Sequence, residues 1–160
     1  MYRLHPALGL DWTRFQTLTQ LATHSTQPIP ALRHALELVR GIPMESATPR
    51  SYEWVVVHRT EMEAAIGDAA EHLARHYLDA GDPTGATWAA RRGLLASPYD
   101  ERLFRQLMLA QDRAGNPAGV DAVMHELLHT LGDDLEPLDD LHPETVTLYK
   151  QLRGNRSIIG

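Results

Sequence analysis

Apolar residues recur along this chain at helical spacing, and glycine and proline punctuate them. In DWTRFQTLTQLA, from Asp11 to about Ala22, Trp12, Phe15, Leu18 and Leu21 follow one another every third residue, with Asp11 a candidate N-cap. Pro30 opens a second segment, ALRHALELV, that stops at Gly41-Ile42-Pro43. After a connection rich in Ser, Thr and Pro, Tyr52 to Ala80 carries Met62, Ile66, Ala70, Leu73 and Tyr77 on one face, and Gly81 ends it. The same reading predicts helices from about Pro83 to Ala96, Asp100 to Ala114, Pro117 to Leu131 and Pro143 to Leu152, about seven helices in all. Strand signals reduce to Val55-Val56-Val57, inside a helical stretch. The expected fold class is all-α.

Internal similarity sharpens this expectation. Residues 80 to 86, AGDPTGA, match residues 114 to 120, AGNPAGV, at an offset of 34. The offset also pairs Leu73 with Leu107 and Leu94 with Leu128. Thirty-four residues is the tetratricopeptide period, in which helical hairpins bury their apolar faces by stacking. Tyr77, Ala86, Ala90 and Pro98 occupy the aromatic, small and closing-proline positions of that pattern. Two stacked hairpins are therefore expected from about residue 67 to 132, with Leu73, Tyr77, Leu94, Leu107, Met108, Met124 and Leu128 in one core.

Composition narrows the functional classes. The 160 residues can form one domain with a real core, and the absence of cysteine removes thiolate zinc sites and thiol catalysis. A net charge of −6 argues against a general grip on nucleic acid, which needs a basic surface. No apolar run approaches the ~20 residues of a membrane span, so the expected setting is soluble and cytoplasmic. Of the 15 basic residues only Lys150 is lysine, a weak hint of a GC-rich genome.

One stretch raises an enzymatic alternative. Residues 125 to 129 read HELLH, the spacing by which zinc peptidases hold metal with two histidines and activate water with a glutamate. On a helical wheel, however, Val120, Val123, Met124, Leu127, Leu128 and Leu131 share the apolar face, while His125 and His129 lie roughly 130° to 170° from its centre. The position of a third ligand, in HExxHxxGxxH, holds Leu135. A solvated helix face is thus expected, with Glu126 on its flank and no metal. His72 and His76 form a second pair on the long helix, read as solvent-facing with partial packing. Asp133, Asp134, Glu136, Asp139 and Asp140 lack the order of a calcium loop and read as a solvated connection. No phosphate loop or nucleophile motif is present, so neither cofactor nor catalysis is expected.

Helical-repeat geometry instead places a partner surface on the first helix of each hairpin. The candidate residues are Asp68, Glu71, Arg75 and Asp79 in one repeat and Arg102, Arg105, Asp112 and Arg113 in the next. The competing structural reading is that these acidic and basic rows pair with each other. Trp54 and Trp88 fall outside the regular core positions and are further candidate anchors.

Several stretches carry a family resemblance: LDWTRFQTL at residues 10 to 18, ALELVRGIPM at 35 to 44, ERLFRQLMLAQDRAGNPAGV at 101 to 120, and LGDDLEPLDDLHPETVTLYKQL at 131 to 152. Together they resemble the bacterial transcriptional activator domain, the tetratricopeptide-like module that follows a winged helix in actinobacterial regulators of the antibiotic regulatory protein type. Val39 stands where family members usually carry tryptophan, and the acidic turn before the last helix is longer than theirs. The opening MYRL resembles the end of the family's winged helix. The resemblance implies a non-catalytic regulatory module, part of a longer protein, that binds a protein partner or itself while a separate domain reads DNA. Similar modules also occur in LysM-containing envelope proteins with membrane spans, an alternative parent.

Overall fold

The computed structural model describes residues 6–44, 52–132 and 141–154, without the side chains of 6–10 and 52–55. The MYRL opening, the Trp54 side chain and the acidic loop at 133–140 lie outside the described residues. Among those described are seven helices and no strand: α1 (Pro6–Thr23), α2 (Ile29–Glu37), α3 (Tyr52–Asp79), α4 (Pro83–Leu94), α5 (Glu101–Arg113), α6 (Pro117–Leu131) and α7 (Pro143–Gly154). The all-α expectation holds.

The two copies of the repeated turn have nearly the same backbone. Gly81 and Gly115 sit in the left-handed region, at φ 75° and 67°. The Asp82 amide donates to the Tyr77 carbonyl at 2.8 Å and the Asn116 amide to that of Gln111 at 2.9 Å, so each helix closes with a Schellman motif. The next residue then starts the following helix. Asp82 (φ −110°, ψ 81°) accepts from the Gly85 amide, Asn116 (φ −109°, ψ 82°) accepts from the Gly119 amide, and a proline opens each first turn.

These turns fold α3 back on α4 and α5 back on α6, and the hairpins stack. Helix α3 also packs on α5, α5 on α7, and α2 on both α3 and α4. The result is a stack of α1/α2, α3/α4 and α5/α6 hairpins with α7 against the last, consistent with the tetratricopeptide-like class. At the centre, α3 and α4 approach closely at Gly93: a Cβ there would stand 2.5 Å from the Ala70 Cβ and 2.7 Å from Leu103. Only a residue without a side chain permits that contact. The core runs continuously from Phe15 through Leu36, Leu73, Phe104 and Met108 to Leu127.

Several expectations need correction. Asp11 is not an N-cap, because α1 begins at Pro6 and places Asp11 in its second turn. Leu21 is 59% exposed, since the first helix is covered on one side only. Helix α2 starts at Ile29 and stops at Glu37, short of the apolar residues that follow it. Leu73, Tyr77, Leu107, Met108 and Met124 are buried, but Leu94 and Leu128 are only partly buried. On α6 the fully buried leucine is Leu127, one position away, because that helix turns its Val120–Met124–Leu127 row toward α5.

Leu127→Ala is accordingly expected to cost about 2 to 5 kcal/mol as a core truncation. His125→Ala and His129→Ala, on the solvated side, should stay within about 0.5 kcal/mol. Urea unfolding of the three variants checks both; equal losses would mean that the α6 register is wrong.

Candidate interaction surface

The sequence pattern nominated two surfaces. On α6, His125 and His129 are exposed, as the wheel expects. Glu126 is engaged elsewhere: both of its carboxylate oxygens accept from the Arg91 guanidinium of α4, one of them at 2.8 Å. Among the described residues no three histidine, aspartate or glutamate side chains gather where they could share a metal ion. Through Glu126 the HELLH stretch thus ties α6 to α4. His72 and His76 are exposed on α3 and border a groove between it and the α1–α2 connection.

The other surface is formed by α3, α5 and α7. Asp100, just before α5, accepts from the Arg102 amide and Nε at 3.0 Å and from Nη2 at 2.8 Å, capping the helix and fixing the guanidinium together. Arg102 Nη1 then reaches across to α3, donating to Asp68 at 2.7 Å and to Glu71 at 3.5 Å. Hydrogen bonds donated to Asp100 and then to Asp68 raise the Arg102 pKa further above its ordinary value, against a smaller desolvation effect. One turn along α5, Arg105 donates to the Thr145 hydroxyl at 3.0 Å and pairs with Glu144 at 3.1 Å, both on α7. The two arginines of α5 therefore tie it to its neighbours on either side.

Four of the eight nominated residues, Asp68, Glu71, Arg102 and Arg105, are consumed in these ties. Arg75 is exposed and makes only a long 3.8 Å pair with Glu71. Asp79, Asp112 and Arg113 are exposed at the C-terminal ends of α3 and α5. The structure thus brings the two rows together at their N-terminal ends and leaves the other ends to solvent. Asp100 and Thr145 were missed by the sequence reading. Asp100 had a signal, an aspartate just before a helical segment; Thr145 had none, because its role depends on where α7 docks. Trp88 is partly buried against the core, with the Arg33 guanidinium 4.4 Å and that of Arg92 5.4 Å from its ring centre. The Arg33 contact holds α2 to α4, whereas Arg92 and Trp88 lie on the same helix.

What the geometry defines is a helical-repeat module with a charged, part-satisfied face. Comparison with known proteins places it more closely: residues 10–153 match the bacterial transcriptional activator domain, and the chain belongs to that family. The family is one of regulatory domains. Over 81 residues, half of this chain, it is also 38% identical to prolyl 4-hydroxylase subunit alpha-3 of Homo sapiens and of Bos taurus. The chain spans only 12% of the length of those relatives. No solved structure matches significantly. Among the described residues no helix is long and apolar enough to cross a membrane.

Arg102→Ala should destabilise the protein by about 1 to 2 kcal/mol, more than an exposed single pair, because Asp100 loses its counter-ion and α3 its link to α5. Arg113→Ala should change stability by less than about 0.5 kcal/mol. Thermal and urea unfolding of the two variants measure the contrast.

Proposed function

We propose that this chain is the non-catalytic interaction module of a longer transcriptional regulator of actinobacterial type, working in the cytoplasm. It acts by binding a protein partner or a second copy of itself, and another domain of the parent reads DNA. The observation that carries the reading is the family match across residues 10–153, together with a surface on α3 and α5 whose charges are only partly consumed by internal pairing. Arg75, Asp79, Asp112 and Arg113 are the residues on which a partner would act first, with the Asp68, Glu71, Arg102 and Arg105 ties holding the helices that present them. A LysM-containing envelope protein is the alternative parent.

The net charge of −6 supports the division of labour, since a chain of that balance has little electrostatic attraction for phosphates. A titration of the isolated chain with duplex DNA at ~150 mM salt should show no sequence-specific binding. Such binding would overturn the reading. For the partner surface, the fourfold variant Arg75→Ala, Asp79→Ala, Asp112→Ala, Arg113→Ala should keep the wild-type melting temperature. It should lose at least ~tenfold in affinity for the partner or for self-association. Unchanged association would move the interface elsewhere.

A further inference from the structure

Where α1, the chain that follows α2 and the middle of α3 meet, an open cavity of about 320 Å3 remains. That falls within the range of about 300 to 1,000 Å3 typical of small-molecule sites. Its walls are largely apolar, with Trp12, Phe15, Met44, Met62 and Ile66 among them. The Trp12 and Phe15 rings are stacked, their planes 9° apart and their centres 5.2 Å apart, and give one side of the cavity a flat aromatic surface. The methionine side chains are flexible and polarisable, suited to closing around a guest of irregular shape.

Asp11 breaks this apolar pattern. It stands inside α1, in its second turn, where aspartate is a poor helix former and has no capping role. Its residue is half-buried and lines the cavity, and among the described residues it has no hydrogen bond or ion pair. A carboxylate beside stacked aromatic rings is the combination that recognises an ammonium group, by charge pairing and by cation–π attraction. Arg40 also borders the cavity but is exposed, so water screens its charge more effectively.

One wall is held in an unusual conformation. Met44 has φ 55°, in the left-handed region that non-glycine residues seldom occupy. Arg59 of α3 fastens this stretch, donating from Nε to the Pro43 carbonyl at 3.0 Å and from Nη2 to the Met44 carbonyl at 2.7 Å. Strain of this kind persists only where the surroundings enforce it, and it concentrates at ligand sites.

We infer that this cavity is a binding site for a small cationic amphiphile, its apolar, aromatic body against Trp12 and Phe15 and a single ammonium group at Asp11. The site goes beyond the interaction face on α3 and α5 and does not depend on it. The test uses two probes with the same naphthyl body, naphthylethylamine and naphthylacetate, titrated into the whole chain by NMR at ~150 mM salt. The ammonium probe should bind at least ~tenfold more tightly than the carboxylate probe, a difference of ~1.4 kcal/mol. Asp11→Asn should erase that preference, and Met62→Trp, which fills the chamber, should abolish binding of both. Equal or tighter binding of naphthylacetate, a preference that survives Asp11→Asn, or no saturable binding of naphthylethylamine overturns the inference. Binding that persists in a folded Met62→Trp variant does so too. Should that variant not fold, Asp11→Asn decides the question alone.

Discussion

The rest of this structure depends on one backbone constraint, the closing turn at Gly81-Asp82-Pro83 and its copy at Gly115-Asn116-Pro117. Each needs a residue at positive φ to end one helix, a short polar side chain to cap the next, and a proline to begin it. Because the glycine φ angles (75° and 67°) and the cap angles (φ −110° and −109°, ψ 81° and 82°) are alike in the two copies, α4 leaves α3 and α6 leaves α5 in the same way. Hairpins of the same shape can stack in register, and the 34-residue period of the sequence becomes a translation in space. The close approach of Gly93 to Ala70 and Leu103 is possible only in that register.

Stacking also decides where charges can meet. Helices α3, α5 and α7 lie side by side, so a side chain near the start of α5 has neighbours on both flanks. Arg102 and Arg105 use that placement, one toward α3 and the other toward α7. Their guanidinium groups suit the role, being planar and able to serve several oxygens at once. Toward the other ends of α3 and α5, among the described residues, no such ties are seen and Arg75, Asp79, Asp112 and Arg113 face water. A surface divided in this way has rigid support at one end and exposed charges at the other, an arrangement that suits the proposed interaction module. The same principle explains the α6 histidines: the helix spends its inward face on packing and its flanking glutamate on Arg91, leaving the pair outside.

The cavity at Trp12 has a different origin. The first hairpin is the least regular part of the stack. Helix α2 is only nine residues long. Helix α3, at 28 residues, spans about 42 Å and extends well past it. The chain after α2 fills part of the gap with Ile42, Pro43 and Met44 under the hold of Arg59, and the remainder stays open. Mismatch in helix length, rather than any sequence motif, makes this space.

The sequence by itself determined the helices, the order of the hairpins and most of the core, because local spacing, glycine, proline and caps act within a few residues of one another. Leu73, Tyr77, Leu107, Met108 and Met124 could be assigned to the interior from period alone, and the histidines of HELLH to the outside. Choices between adjacent positions needed the tertiary structure: Leu127 is buried and Leu128 only in part because α6 is rotated to meet α5, and rotation is set by the partner helix. Asp11 has the residue type and position of a cap for the DWTRFQTLTQLA segment, but the helix runs through it from Pro6. Whether Asp68, Glu71, Arg102 and Arg105 would serve a partner or each other was likewise open in one dimension. Only the docking of α3, α5 and α7 settled it, since an ion pair depends on distances of a few ångströms between residues more than thirty apart in the chain.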